Sequence, residues 1–261
     1  MLGGIHLAVP AGSAVALVGP NGSGKSTLLR LLAGVDRPGG GRIRVLGGAP
    51  SDARVRARVA FLPEESPFPV ELSALAVLDL LAALAGRARG ALRPRALELL
   101  ERVGLSGVAR RPLRTYSRGM LRRFGLAQAF LTEPEVLLLD EPTAGLDAPG
   151  FAVLEDLLAE AQGRGATVVL SSHLVSDAFG RCERWVVLVD GRIAATGEPR
   201  DLVDPGGGIA VDVEGLGDAG LAALGDWIES QGGRLVGVRP SSACLGGLYL
   251  RGRREEEGAR A

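Results

Sequence analysis

Gly19-Pro20-Asn21-Gly22-Ser23-Gly24-Lys25-Ser26-Thr27 decides how the rest of this chain is read. An apolar run, Ala14 to Val18, leads into it, and an apolar helical pattern, Leu28 to Leu32, leads out. The string fits G-x-x-x-x-G-K-[ST] from Gly19 to Ser26, in the strand-loop-helix setting that a phosphate-binding loop requires. Its glycines let the backbone curl until consecutive N–H groups point inward. The following helix adds its positive end, so a phosphate chain is held mainly by main chain. Lys25 adds a charge for the outer phosphates, and the Ser26 hydroxyl is a ligand for Mg²⁺. Although the chain has 30 basic residues, Lys25 is its only lysine. A composition that uses arginine everywhere else keeps lysine where a compact ammonium must fit under phosphates.

The chain of 261 residues, 46% of them hydrophobic, supports one main core with at most a small appendage. With 30 acidic against 30 basic residues the net charge is zero, which argues against a dedicated nucleic-acid surface. Arg110, Arg111, Arg114, Arg118, Arg122 and Arg123 do cluster, and they read equally as a solvated helix face or as a phosphate-facing one. Cys182 and Cys244 stand in no metal-ligand spacing, so neither zinc nor a disulfide framework is expected. No signal-like leader follows Met1. The most apolar long stretch, Leu72 to Ala85, is interrupted by Asp79 and is too short to span a bilayer, so a cytosolic chain is expected.

Taken in order, Ile5 to Val18 reads as strand, turn at Pro10-Ala11-Gly12, strand. Arg42 to Leu46 alternates like a strand, and Val59 to Leu62 is another that ends at Pro63, with Glu64 and Glu65 at its exit. From Leu72 to Leu131 the spacing turns helical, over Ala74 to Leu84, Pro94 to Val103 and Arg118 to Leu131. Val136 to Leu139 is a continuous apolar run, the form of a central parallel strand covered on both faces. Ala148 to Ala161 reads as helix and Thr167 to Leu170 as strand, with Ser171-Ser172-His173 just beyond it. Trp185 to Asp190 and Arg192 to Thr196 form a hairpin by the Asp190-Gly191 signal. Pro205-Gly206-Gly207-Gly208 separates a main domain of residues 1–204 from a small accessory unit of residues 209–250. That unit reads as strand (Ile209 to Val213), helix (Leu216 to Ser230) and strand (Arg234 to Val238), with a further strand near Leu248 to Leu250 and a charged, frayed tail over 251–261.

In a doubly wound sheet ligands gather beyond the carboxyl ends of the strands. The phosphate loop, Glu64, Asp140-Glu141 and His173 all follow such ends. Asp140 is suited to holding Mg²⁺ and Glu141 to polarising an attacking water. His173 is suited to a γ-phosphate or to that water, and its loss should slow hydrolysis more than binding. Ser117 is placed to N-cap the helix starting at Arg118, whose positive end is an anion site.

With these residues in view the chain resembles the nucleotide-binding subunit of an ATP-binding-cassette transporter, over about Ile5 to Val203. Gly19 to Thr27 is similar to the family's Walker A, Val136 to Glu141 to Walker B, Ala144-Gly145-Leu146-Asp147 to the D-loop, and His173 to the switch histidine. Tyr116-Ser117-Arg118-Gly119-Met120 stands where the family carries its signature. The resemblance implies an α/β P-loop NTPase fold with a mostly parallel sheet, a helical subdomain at about 72–131 and a small antiparallel N-terminal part, to which the small C-terminal α/β appendage read above is added. It implies ATP and Mg²⁺, the latter held by Ser26, Asp140 and Glu64. It also implies two subunits packed head to tail, so that Ser117, Arg118, Gly119 and Met120 of one close over the nucleotide of the other. Glu64 and Asp147 then couple the site to a separate integral membrane permease, with the ATPase peripheral on the inner face of a bacterial cell membrane.

Glu64 replaces the family's Q-loop glutamine, and the signature carries Arg118 and Met120. Both variants resemble the ABC-2 exporter branch and favour export over import. The sequence starts after the strand and adenine-stacking aromatic that the family places upstream, so the expectation is either that the start codon is misassigned or that adenine binding is weakened by about 1–3 kcal/mol of stacking while phosphate binding survives. A Ras-like GTPase needs an N-K-x-D lysine that is absent here. A chromosome-maintenance ATPase needs a long coiled coil, and a translation-associated one two cassettes. The alternative of another class is a nucleotide-dependent regulatory or non-transport ATPase with weak hydrolysis.

Overall fold

Strand β1 (Ala14–Val18) is buried along its whole length and sits at the heart of the sheet. Ala14, Ala16 and Val18 join one apolar cluster, while Val15 and Leu17 join another. The same split recurs in β3 (Val136–Leu139), where Leu137 and Leu139 face the first cluster and Val136 and Leu138 the second. Alternate side chains of a strand point to opposite faces, so an unbroken apolar run is what a sheet covered on both faces demands. The computed structural model describes residues 2–65, 67–88, 90–172, 182–198 and 218–230.

With β2 (Val59–Leu62), β4 (Thr167–Ser172), β5 (Arg184–Val189) and β6 (Arg192–Gly197) the described strands form one sheet in the order β2-β3-β4-β1-β5-β6. All pairs are parallel except the β5–β6 hairpin. Asp190 and Gly191 at its tip have φ of 48° and 77°, the positive pair that a type I′ turn requires. Register places the site. Val18 lies beside Ser172 and Leu62 beside Leu139, so the segments that follow β1, β2, β3 and β4 leave the sheet along one edge.

The described helices are α1 (Lys25–Leu32), α2 (Ala53–Arg56), α3 (Ala74–Leu84), α4 (Arg93–Arg102), α5 (Arg118–Ala129), α6 (Ala148–Gly163) and α7 (Asp218–Ser230). Ser73, Ser117 and Asp147 start α3, α5 and α6 by accepting the N–H of Ala76, Met120 and Gly150. Each thereby satisfies an otherwise unpaired first-turn donor. Helices α3, α4 and α5 pack on one another, and α5 also packs on β2. Phe124 of α5 is fully buried and meets Phe68 edge-on, with ring centroids 4.8 Å apart. Buried Cys182 has its thiol pushed up to about 12 by desolvation, so it is no thiolate at neutral pH.

The expected strands at residues 5–9 and 42–46 are not formed, and the described residues contain no small antiparallel N-terminal sheet. Their alternation is nonetheless realised. Ile5, Leu7 and Val9, and likewise Ile43 and Val45, lie against the second cluster, while His6, Ala8, Arg42 and Arg44 are exposed. A strand exists by its ladder, and among the described residues neither segment finds one beyond the Val45–Gly48 bridge of a tight turn. Burial pattern alone thus produced extended chain without pairing.

Residues Met1–Leu202 and Val203–Ala261 divide into two units. In the second, α7 exposes Trp227. The linker at 205–208, the strands expected at 209–213, 234–238 and 248–250, and the tail at 251–261 lie outside the described residues.

Candidate functional site

The loop after β1 is shaped by contacts that only glycine allows. A Cβ on Gly19 would lie 2.2 Å from the Leu188 carbonyl oxygen of β5. Gly24 has φ of 105°, and a Cβ there would meet Leu2 at 2.5 Å. Behind the loop, Gly191 N donates to Ser23 O at 3.1 Å, so the tip of the β5–β6 hairpin braces it. Gly24 caps α1 without a side-chain hydrogen bond, and no acidic residue occupies the first turn of that helix. The free N–H groups and positive end of α1 are therefore left for an anion. Buried Ser23 Oγ has no hydrogen-bond partner among the described residues.

Lys25 is buried, and its Nζ donates to Gly19 O at 2.8 Å and Pro20 O at 3.3 Å. It also lies 3.8 Å from Glu141 Oε1. A cavity of about 320 Å³ opens here, lined by Asn21, Gly22, Gly24, Lys25, Ser26, Thr27, Glu64, Glu141 and Ala144. The phosphate loop, Glu64 and Glu141 expected from sequence are thus brought together. Asp140 is buried and does not line the cavity. Ser117 and Arg118 are exposed, with Gly119 and Met120 half-buried, and none of them lines it either. Asp147 caps α6 through Gly150 N at 3.1 Å. His173 lies outside the described residues.

Two residues escaped the sequence reading. Fully buried Ser171 donates from Oγ to Asp140 Oδ1 at 2.6 Å and accepts from Glu141 N at 2.9 Å, tying the Asp140 carboxylate and the Glu141 main chain to the neighbouring strand. Arg122, expected only as part of a basic cluster, is buried on α5. Its Nη1 donates to Pro63 O and Glu64 O, each at 3.0 Å, and its Nη2 to Asp140 O at 2.9 Å and to Glu141 O. Burial pushes this guanidinium below its usual value and the carboxylates of Asp140, Glu64 and Glu141 pull the other way. An arginine keeps its charge under such conditions. Glu141 itself has φ of 45°, a left-handed conformation costing a non-glycine residue roughly 1–2 kcal/mol. Such strain persists where surrounding bonds over-determine it.

Hard oxygen donors suited to Mg²⁺ stand on Ser26, Glu64 and Asp140, while no three His, Cys, Asp or Glu converge as a metal cluster among the described residues. A Mg²⁺ ion that works with phosphates takes only one or two protein carboxylates, so the chemistry of Ser26 and Glu64 in the cavity fits it, while Asp140 stands outside the cavity lining.

The ABC transporter family model matches residues 2–144. Daunorubicin resistance ATP-binding protein DrrA3 of Streptomyces coeruleorubidus is 39% identical over 214 residues, 81% of this chain and 68% of that protein. Nod factor export ATP-binding protein I of Rhizobium meliloti (strain 1021) is 36% identical over 209 residues, 78% of this chain and 62% of that protein. A solved dimeric structure of the ATP-binding cassette MJ0796 in a post-hydrolysis state bound to ADP and Pi superposes with a TM-score of 0.69 at 28% identity, covering 76% of this chain and 90% of that one. The chain spans about 60% of the length of several curated relatives it matches. With the family model covering more than half of its residues and its sheet carrying the phosphate loop at the expected strand end, this chain belongs to the ABC transporter family.

Proposed function

We propose that the chain is the ATP-binding and ATP-hydrolysing subunit of an ABC exporter. The observation that carries this is the 3.8 Å approach of Lys25 Nζ to Glu141 Oε1 inside the cavity of the phosphate loop. It puts a phosphate-binding cation and a general-base carboxylate at one place. The loop amides, the end of α1 and Lys25 bind the triphosphate, and Glu141 holds a water for in-line attack and takes up its proton. Ser26, Asp140 and Glu64 are the residues that would hold Mg²⁺, which supplies neutralising charge to the β- and γ-phosphates when bound. His173 is assigned, from the family resemblance alone, a role toward the γ-phosphate or the attacking water.

The exposed signature, Ser117 to Met120, lies apart from this cavity, and the similar cassette MJ0796 was solved as a dimer. We therefore assign the signature to the site of a second copy packed head to tail. Among the described residues no helix is long and apolar enough to cross a membrane. We assign the path for cargo to a membrane permease, with Glu64 and Asp147 toward it. Export is favoured by a relative named for Nod factor export and another named for drug resistance.

Steady-state ATPase of the full chain tests the reading. Lys25→Ala abolishes ATP binding, and Glu141→Gln lowers turnover by about 10²- to 10⁴-fold while ATP still binds. A wild-type rate equal to that of Glu141→Gln overturns it in favour of a nucleotide-dependent regulatory protein.

A further inference from the structure

The β2–β3 ladder ends at Leu62 and Leu139, with one further bond from Asp140 N to Leu62 O. Beyond it the chain splays into two loops, one carrying Glu64 and the other Glu141. Arg122 reaches both from α5. Its two terminal nitrogens take a pair of carbonyls each, Pro63 and Glu64 on one side, Asp140 and Glu141 on the other. Glu141 stands at φ 45°, and the peptide groups on its two sides are both held, its N–H by Ser171 and its carbonyl by Arg122. Those two peptide groups fix the direction in which its side chain leaves the backbone. A planar fork suits this task, because it bonds two separate loops from one rigid group, whereas an ammonium is a point donor.

We propose that Arg122 is a positioning residue for hydrolysis, which sets the orientation of the Glu141 carboxylate and makes that orientation depend on where the Glu64 loop lies. It is not among the residues lining the phosphate-loop cavity, and it acts through the main chain of Glu141. The proposal rests on the ATPase reading given above. Its consequence is a mechanical link, since any displacement of residues 63–64 is carried to the general base through one side chain.

Arg122→Lys and Arg122→Gln of the full chain test it, with ATP affinity, kcat, KM, thermal unfolding and amide exchange measured on each. ATP affinity is expected to stay within about threefold, while kcat falls about tenfold in the lysine variant and about a hundredfold in the glutamine variant. Amide exchange is expected to accelerate in peptides covering 59–65 and 136–144 and to stay unchanged over 14–32. Turnover within twofold of wild type in Arg122→Gln overturns the proposal. So does full recovery of turnover and protection by lysine, which would assign the role to charge rather than to the fork. A parallel fall in kcat, ATP affinity and stability, with faster exchange over 14–32 as well, reduces Arg122 to a folding role. If the wild type itself turns over no faster than Glu141→Gln, the ATPase reading fails. The exchange comparison then still decides whether Arg122 joins the two loops, and unchanged exchange at 59–65 and 136–144 overturns that too.

Discussion

At the scale of single residues, one hydroxyl holds the Asp140 carboxylate and the Glu141 main chain. Ser171 is a small side chain at the end of β4, yet it serves Asp140 and Glu141 at once. Removing it leaves a buried carboxylate oxygen and a buried N–H short of a partner, each worth about 1–3 kcal/mol when unsatisfied. Ser171→Ala is therefore expected to lower stability measurably in denaturant melts and to cut kcat about tenfold, with ATP affinity within about threefold of wild type. A variant with wild-type kcat would show that Asp140 and Glu141 hold their places without it. Serine there was visible in the sequence only as the residue two before His173. Its meaning depends on β3 lying beside β4, a fact of sheet order.

At the scale of elements, the helical layer is tied to the core through Glu160 of α6. Its carboxylate accepts from Arg102 at 2.7 Å and Arg95 at 2.8 Å, both on α4, and from Arg164 at 2.7 Å on its own side. Those hydrogen bonds, led by Arg102, hold its pKa down at about 2 from the ordinary 4.5. A carboxylate depressed on folding contributes stability that is complete above its unfolded pKa and is lost as pH falls through the folded one. Wild-type melting temperature should thus decline between pH 4.5 and about 2 in part through Glu160. Glu160→Gln should flatten that part of the profile and lower stability at pH 7. Since the group is partly exposed, the loss should be no more than about 1 kcal/mol per pair and should shrink in high salt. An unchanged acid profile in the variant would show that the network does not stabilise the fold.

Across the whole molecule, the separation between the phosphate-loop cavity and the exposed signature makes a distinctive expectation. In a head-to-tail dimer, Lys25→Ala and Ser117→Arg chains each kill both sites when pure. Mixed, they leave one dimer site in which the lysine of the second chain meets the serine of the first. Turnover should therefore reappear on mixing, at roughly a quarter of the wild-type rate if half the dimers are mixed and their sites independent. No recovery in co-purified mixed dimers would mean that Ser117 serves the cavity of its own chain or none.

Much of this architecture was legible in residues alone, because the forces that make it are local. Val136 to Leu139 is apolar on both faces, and Ser117 is a cap whose partner lies three residues on, so β3 could be placed from its apolar run, α3 and α6 from periodicity, and α5 from periodicity and capping. The phosphate loop was legible for the same reason, its glycines and lysine acting within one turn of chain. The strands expected at residues 5–9 and 42–46 failed because alternation reports which side is buried but not whether a backbone neighbour exists. The buried fork of Arg122, the lock of Ser171 and the left-handed turn at Glu141 were decided only by tertiary structure. Each depends on the order β2-β3-β4, which brings residues from separate strands and a covering helix within hydrogen-bonding distance, and no period in the sequence encodes that meeting.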